Sequence, residues 1–531
     1  MKRIFFNGNC LWADFDRCTM ASNGWKHIVF AGAVATSLVG WSTSYAQESA
    51  PKKPTSSEEQ LLGHADQIAA QVGSIRGLEL KEAFAKGVKD RDSLRAVLLE
   101  KLSEEVTDAD IENESKVFKR LGLFSPEIDY KKMMVDLLTE QIAGFYDQKS
   151  KELYIMEGIP LELQRPAMAH EIFHAIQDQH FDIGAMLAPF SARENGDFAL
   201  ARMALIEGDA TVVMIDFSLY EANVFPQEGV NSIVDIPMLA AMIMELDFDN
   251  IAALEQMIPT ADTSMGESSA PPSLAETALA SSPAIIRELL MFPYFGGMRF
   301  VIIARSGRSW ADVNAIYENP PVSTEQIMHP ERYFAGDEPT LLSFDPSAAL
   351  SGYKPIYDTV LGELQILLWL KTHLGLALDD KGEPLVAIAE AAKGWGGDRL
   401  LGFEDSEGNV VVAHLSSWDT VEDAGQFFDA HVAVAAQRFP KAKSTTKQGP
   451  HGRSLCMQRD LGERAERIYI EQWGDMVLHI EGAPSRLDAQ GSETDATTFM
   501  IRDRVWKTFR RTPFDTVYQQ RLAKIAAEKS P

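Results

Sequence analysis

The run ALARMALIEGDATVVMIDF, residues 199–217, restricts the fold more than any other part of the chain. Ala, Leu, Met, Ile and Val dominate it, and the spacing predicts a helix over residues 197–220 in an apolar setting. Glu207 interrupts the run. A carboxylate in such a place is costly unless a cation or a hydrogen-bond donor meets it. One account is a surface glutamate at a helix bend caused by Gly208. The other is that Glu207 meets a cation supplied from elsewhere in the fold.

The segment AHEIFHAIQDQHF, residues 169–181, offers the means to hold one. His170 and His174 are four residues apart, one turn plus about 40° of helix, so both rings project from one face and can share a metal ion. Glu171 lies beside His170 and can lean over the open side of that metal, where a bound water would sit. The plain alternative is an amphipathic helix with two satisfied core histidines, since Ala169, Phe173 and Ile176 would pack inward in either case. Zinc needs a third protein ligand, and Glu207, 33 residues after His174, is the candidate with a reason to sit among apolar groups. Glu194 and Asp197 compete for that role, but their polar neighbours read as a solvated face. Asp209 or Asp178 would accept the remaining N–H of a liganded histidine and set its tautomer.

A hairpin (EQIAGFYDQKSKELYIME, with its turn at residues 147–150), an HExxH helix and a later helix donating Glu resemble the gluzincin group of zinc metallopeptidases, which includes thermolysin. HEIFHAIQD also follows the thermolysin-like pattern HExxHAxxD. The resemblance spans roughly residues 140–220. It implies His170, His174 and Glu207 as Zn²⁺ ligands, Glu171 as general base, and a mainly helical zincin-like core with a small β-sheet edge. AGFYDQKSKELYI, AHEIFHAIQDQHF, LIEGDA and STEQIMHPERY together resemble a group of bacterial proteins classed as metallopeptidases, a resemblance that brings no substrate with it.

The chemistry expected of such a site is hydrolysis of a peptide bond by a metal-activated water, with Glu171 carrying the proton to the leaving amine. A further donor should face the oxyanion. PPVSTEQIMHPERYF offers Tyr333 and His329, which read equally well as a structural His-Pro turn with a packed tyrosine. His180 is six residues past His174 and faces away from the pair. His373, His414, His431, His451 and His479 show no ligand spacing, and residues 394–398 (GWGGD) read as a tight turn with a buried Trp395.

At 531 residues the chain is too long for one compact domain. From Met20 the N-terminus has the shape of a secretory signal: Lys26, an apolar run over residues 28–40, and Ser44-Tyr45-Ala46 before Gln47. The alternative is an internal Met20 within a buried helix. Cys10 and Cys18 fall in the leader as a whole, residues 1–46, which leaves Cys456 alone and no intramolecular disulfide. The formal charge of −27 becomes −29 once the leader's net +2 is removed, which argues against nucleic acid and anionic lipid as partners.

The expected organisation is a leader (residues 1–46), a Pro/Ser-rich linker (47–60), a zincin-like domain (61–350) and a C-terminal α+β region (351–531). Helical patterns run to about Asp136, Pro166 is placed in the first turn of the HEIFH helix, and residues 259–283 read as a surface loop. The fold class is α+β. The functional expectation is an exported zinc peptidase, periplasmic or extracellular, acting on peptide or protein and with no membrane span after signal cleavage. The competing reading is a non-catalytic scaffold on a metal-stapled, peptidase-like core.

Overall fold

The computed structural model describes residues 56–140, 144–159, 161–225, 232–245, 278–375, 387–449, 452–462, 464–485 and 497–528. The leader, most of the 47–60 linker, most of the 259–283 segment and His451 lie outside these residues. Among the described residues no helix is long and apolar enough to cross a membrane.

The first half is mainly helical, and its helices include α1 (Ser56–Arg76), α2 (Arg91–Glu105), α3 (Asp108–Arg120), α4 (Tyr130–Glu140), α5 (Leu161–Phe181), α6 (Gly196–Glu221), α7 (Ala284–Arg305) and α8 (Trp310–Ile316). Strands β1 (Ala85–Lys89), β2 (Gly144–Asp147) and β3 (Glu152–Met156) form a sheet in the order β1-β3-β2, with β1 parallel and β2 antiparallel to β3. The β2–β3 turn is set by Asp147, whose carboxylate accepts from the Lys149 N–H (3.1 Å) and the Ser150 hydroxyl (2.7 Å).

Helix α6 is the central element. Asn195 caps it by accepting from the Phe198 N–H, and every residue from Asp197 to Met214 is buried. It crosses α7 at a point where backbone meets backbone: a Cβ added to Gly208 would lie 2.0 Å from the Gly297 carbonyl carbon. Only paired glycines allow that approach. On its other side α6 packs against α5, and α1 covers both through a cluster that includes Ile68, Val72, Phe173 and Val213.

The second half brings β4 (Thr340–Ser343), β5 (Lys354–Thr359), α9 (Gly362–Leu374), β6 (Trp395–Glu404), β7 (Val410–Trp418), α10 (Val421–Arg438), β8 (Lys443–Gly449), β9 (Gly452–Asp460), β10 (Ala465–Trp473), β11 (Met476–Ser485), α11 (Thr497–Thr508), β12 (Arg510–Pro513) and α12 (Phe514–Glu528). Seven of these strands make an antiparallel sheet in the order β5-β6-β7-β11-β10-β9-β8. Its strands alternate sides, as antiparallel strands must: Leu400, Val412 and Ile470 join the core shared with α6, α7, α9 and α10, while Leu401, Ala413 and Tyr469 pack with α11. β12 returns to pair with β4, and α12 then sets Phe514 and Tyr518 against Phe198 near the start of α6. The protein is α+β, as its sequence predicts.

Several local expectations need correction. Helix α1 begins at Ser56, inside the segment read as linker. The stretch read as helical to Asp136 contains β1, whose AKGVK has no apolar alternation and is held as a strand by parallel pairing with β3. Pro166 is not in the first turn of α5, because LELQ extends the helix upstream of it. There it removes one interior hydrogen bond. Gly208 causes no bend that ends the helix; α6 runs through it unbroken. Residues 394–398 turn only at Gly394 (φ 80°), and from Trp395 they are strand β6.

Candidate metal centre

Helix α5 is wedged between the three-stranded sheet and α6, so that residues 167–178 are buried or nearly so on every side. Its apolar residues Ala169, Phe173 and Ile176 pack inward as expected, and its histidine face is covered by α6. There the His170 Nε2 lies 3.0 Å from Glu207 Oε2, His174 Nε2 3.3 Å from the same oxygen, and the two histidine nitrogens 3.0 Å from each other. Three side chains from two helices thus converge on one point, each at most 3 % exposed.

This triangle suits a small divalent ion. Tetrahedral zinc with bonds of about 2.0–2.1 Å separates its ligand atoms by roughly 3.3 Å, close to the three distances found. Two orphaned oxygens add to the fit: Glu207 Oε1 and Glu171 Oε1 are buried with no hydrogen-bond partner. A buried carboxylate oxygen left in that state is expensive.

Electrostatics give the same picture. Burial works against a charged His174, but the Glu207 carboxylate outweighs it and the imidazole is raised to about 9. Burial likewise opposes the Glu207 charge, and the histidines more than reverse it, holding the carboxyl well below its usual range. His170 is lowered by burial and by the charge on His174. Without metal, the Glu207 carboxylate therefore pairs with His174 at the point that a divalent cation would occupy.

Glu171 points at the hairpin. Its Oε2 accepts the Tyr146 N–H of β2 at 3.0 Å, which leaves Oε1 facing no protein donor. Burial, reinforced by the Glu207 charge, pushes this carboxyl up to about 8 against the pull of His174 and the Tyr146 N–H.

Neither aspartate considered for orienting a histidine does so. Asp178 accepts from the Tyr146 hydroxyl (3.2 Å) and pairs with Lys151. Asp209 is fully buried and bound by both Arg76 Nε (2.9 Å) and Nη2 (3.0 Å) and by the Tyr317 hydroxyl (2.9 Å). The histidine partner is Gln177, whose Oε1 accepts from His174 Nδ1 at 2.8 Å while its Nε2 donates to the Ile206 carbonyl (3.0 Å) and the Tyr317 hydroxyl (2.8 Å). A chain His174–Gln177–Tyr317–Asp209–Arg76 thus supports the group. The signal for Gln177 was its i+3 spacing from His174. From α7, the Tyr294 ring lies 6.1 Å from that of His170.

The remaining candidates are placed elsewhere. His329 Nε2 contacts Glu363 Oε1 at 2.9 Å, and the Tyr333 hydroxyl donates to the Asn319 carbonyl at 2.8 Å. Neither hydrogen-bonds to His170, His174, Glu171 or Glu207. His329 belongs to a cluster around Glu363, Thr324 and Asp197, and Asp197 is ten residues, about 15 Å along α6, from Glu207. Asp197 is itself no solvated residue: it is 1 % exposed, bound by the Thr324 N–H at 2.9 Å, and pushed by burial to about 8. Glu194 lies at the surface, paired with Arg521. The histidines without ligand spacing are partly gathered by the fold, with His431 and His479 ring to ring at 4.4 Å around Trp369.

Residues 353–493 match the profile of a domain of unknown function, DUF8575. That span is the seven-stranded sheet and its helices, and it contains none of the metal-centre residues. No curated protein matches the chain. Among solved structures, a candidate hydrolase with a novel fold from Chloroflexus aurantiacus aligns over 59 % of this chain and 97 % of its own, at 15 % identity and a TM-score of 0.29.

Proposed function

We propose that the protein is a zinc-dependent peptidase of gluzincin type, exported from the cytoplasm, with residues 61–350 as its zincin-like core. The observation that carries this reading is the convergence of His170 Nε2, His174 Nε2 and Glu207 Oε2 beside a further carboxylate, Glu171, that is not part of the triangle. A zinc ion held there would supply Lewis acidity, acidifying a water and polarising a carbonyl. Glu171 Oε1 is then the atom that takes up the proton and returns it to the departing amine, while the Tyr146 N–H fixes the carboxylate through Oε2. Gln177 accepts from His174 Nδ1, which would leave Nε2 free to bind a metal ion. Export rests on the leader sequence before Gln47.

Metal content of the purified chain, measured by mass spectrometry, tests the reading together with cleavage of a peptide library. One zinc per chain, lost in His174→Ala and retained in an inactive Glu171→Gln, is the expected result. No bound metal, or zinc retained by His174→Ala, overturns it.

One observation favours a second reading. The three ligands and Glu171 are at most 3 % exposed, as in a site that staples two helices together. A zinc-bound chain that cleaves no peptide, and whose unfolding midpoint collapses on chelation, would establish the scaffold in place of the peptidase.

A further inference from the structure

A second site lies apart from the metal centre, in a cavity of about 220 Å³ between α3, α4, α6 and α7. An engineered cavity of about 150 Å³ holds benzene, so this one has room for roughly six to ten heavy atoms. Leu200, Met203, Leu289, Leu290 and Pro293 make most of its wall apolar.

One end of the cavity is chemically different. The Glu114 carboxylate stands in its wall, accepting from the Tyr130 hydroxyl (3.1 Å) and the Tyr357 hydroxyl (3.2 Å). Phe118 packs against both tyrosines, with ring centroids 6.4 Å from Tyr130 and 6.2 Å from Tyr357. A carboxylate is therefore ringed by three aromatic side chains. Arg193, also in the cavity wall, acts on Glu114 but is engaged by Asp110 and by the Ile356 carbonyl. Both hydrogen-bond donors to Glu114 are neutral hydroxyls, so its charge is only partly offset. Burial pushes the carboxyl up, with Asp110 adding to the effect, against the two hydroxyls and Arg193.

From this geometry we infer that the cavity binds a small organic ammonium, its cationic head against Glu114 and the Phe118–Tyr130–Tyr357 ring cluster, its aliphatic tail along Leu200, Met203 and Leu289. A carboxylate supplies the counter-charge through a charge-assisted hydrogen bond. Aromatic faces attract a desolvated cation through their quadrupoles. An alcohol of the same length would gain only the apolar part, and a carboxylic acid would meet Glu114 with like charge. The inference is independent of the metal centre and of peptidase activity.

Isothermal titration of the full chain with hexylammonium, 1-hexanol and hexanoate tests it. Saturable one-site binding of hexylammonium is expected, at least tenfold tighter than either neutral or anionic analogue. Glu114→Gln should weaken the ammonium at least tenfold and leave the alcohol unchanged, and Leu200→Trp, which fills the cavity, should weaken both. The inference is overturned if hexylammonium does not saturate, if hexanol or hexanoate binds equally well, or if a folded Glu114→Gln keeps the wild-type affinity. The comparison of the three ligands on the wild-type chain decides the matter even if a variant does not fold.

Discussion

Replacing Gly208 by alanine is the sharpest test of how the candidate metal centre is held. A Cβ there would sit 2.0 Å from the Gly297 carbonyl carbon and 2.4 Å from its oxygen, where ordinary contact begins near 3.4 Å. The obstacle is the backbone of α7, which has no rotamer to yield, so α6 and α7 must part by about 1 Å or more along their longest contact. Overpacking of this kind costs about 1–3 kcal/mol and sometimes more, and a rigid obstacle belongs at the upper end. Alanine returns about 1 kcal/mol of helix propensity. The net expectation is a loss of about 2 kcal/mol, read as a lower urea midpoint with unchanged slope. Because Glu207 is the adjacent residue, affinity for the proposed zinc ion should fall at least tenfold in the same variant. Gly63→Ala provides the control: Gly63 lies in α1 with nothing within 4 Å of an added Cβ, so the propensity gain of about 1 kcal/mol should appear as added stability. If Gly208→Ala stays within about 0.5 kcal/mol of wild type while Gly63→Ala gains, the close approach of α6 and α7 is refuted.

Three further outcomes can be checked. Gln177→Leu removes the acceptor of the His174 Nδ1 proton and should weaken zinc about 10- to 100-fold in a competition titration; an unchanged affinity would show that His174 needs no such orientation. Arg76→Ala strands Asp209, both side chains being fully buried, and should cost about 3–5 kcal/mol in chemical unfolding; a loss below about 1 kcal/mol would contradict the burial of the pair. His373 is lowered to about 4 by burial and Arg438, and His431 is lowered too, by burial and by His479, His414 and Arg438. Both folded-state values lie below the unfolded value of about 6.5, so the folded state prefers neutral rings and the unfolded state binds more protons. Stability from these groups is complete above pH ~6.5 and is lost as pH falls through that value towards 4, at most about 1.4 kcal/mol per unit and group. His431→Phe should flatten the midpoint-against-pH curve between pH 6.5 and 4, and an unaltered slope would remove His431 from this account.

The metal triangle could be read from the sequence because its constraints are local. Four-residue spacing on a helix puts His170 and His174 on one face whatever surrounds them, and a carboxylate in a run as apolar as residues 199–217 needs a partner. The same economy gave the hairpin and α6, whose patterns have the period of their own element. What escaped depends on which distant groups arrive. Asp178 and Asp209 were equally plausible partners for a histidine until Lys151 and Arg76 claimed them, 27 and 133 residues away. Asp197 looked solvated because its sequence neighbours are polar, yet Thr324 buries and binds it. The AKGVK strand carries no pattern of its own and exists because β3 lies alongside.

The closure of α12 over the beginning of α6 has a consequence for how the chain matures. Phe198 receives Phe514, and the Tyr518 hydroxyl meets the Arg202 guanidinium at 3.4 Å, five residues before Glu207. The helix that carries Glu207 therefore waits for residues more than three hundred positions downstream before its first turns are fully covered. Until α12 has been made, the side of Phe198 that Phe514 and Tyr518 cover lies open. A metal ion bound by His170, His174 and Glu207 would therefore sit on a helix whose start is fully covered only after α12 has docked.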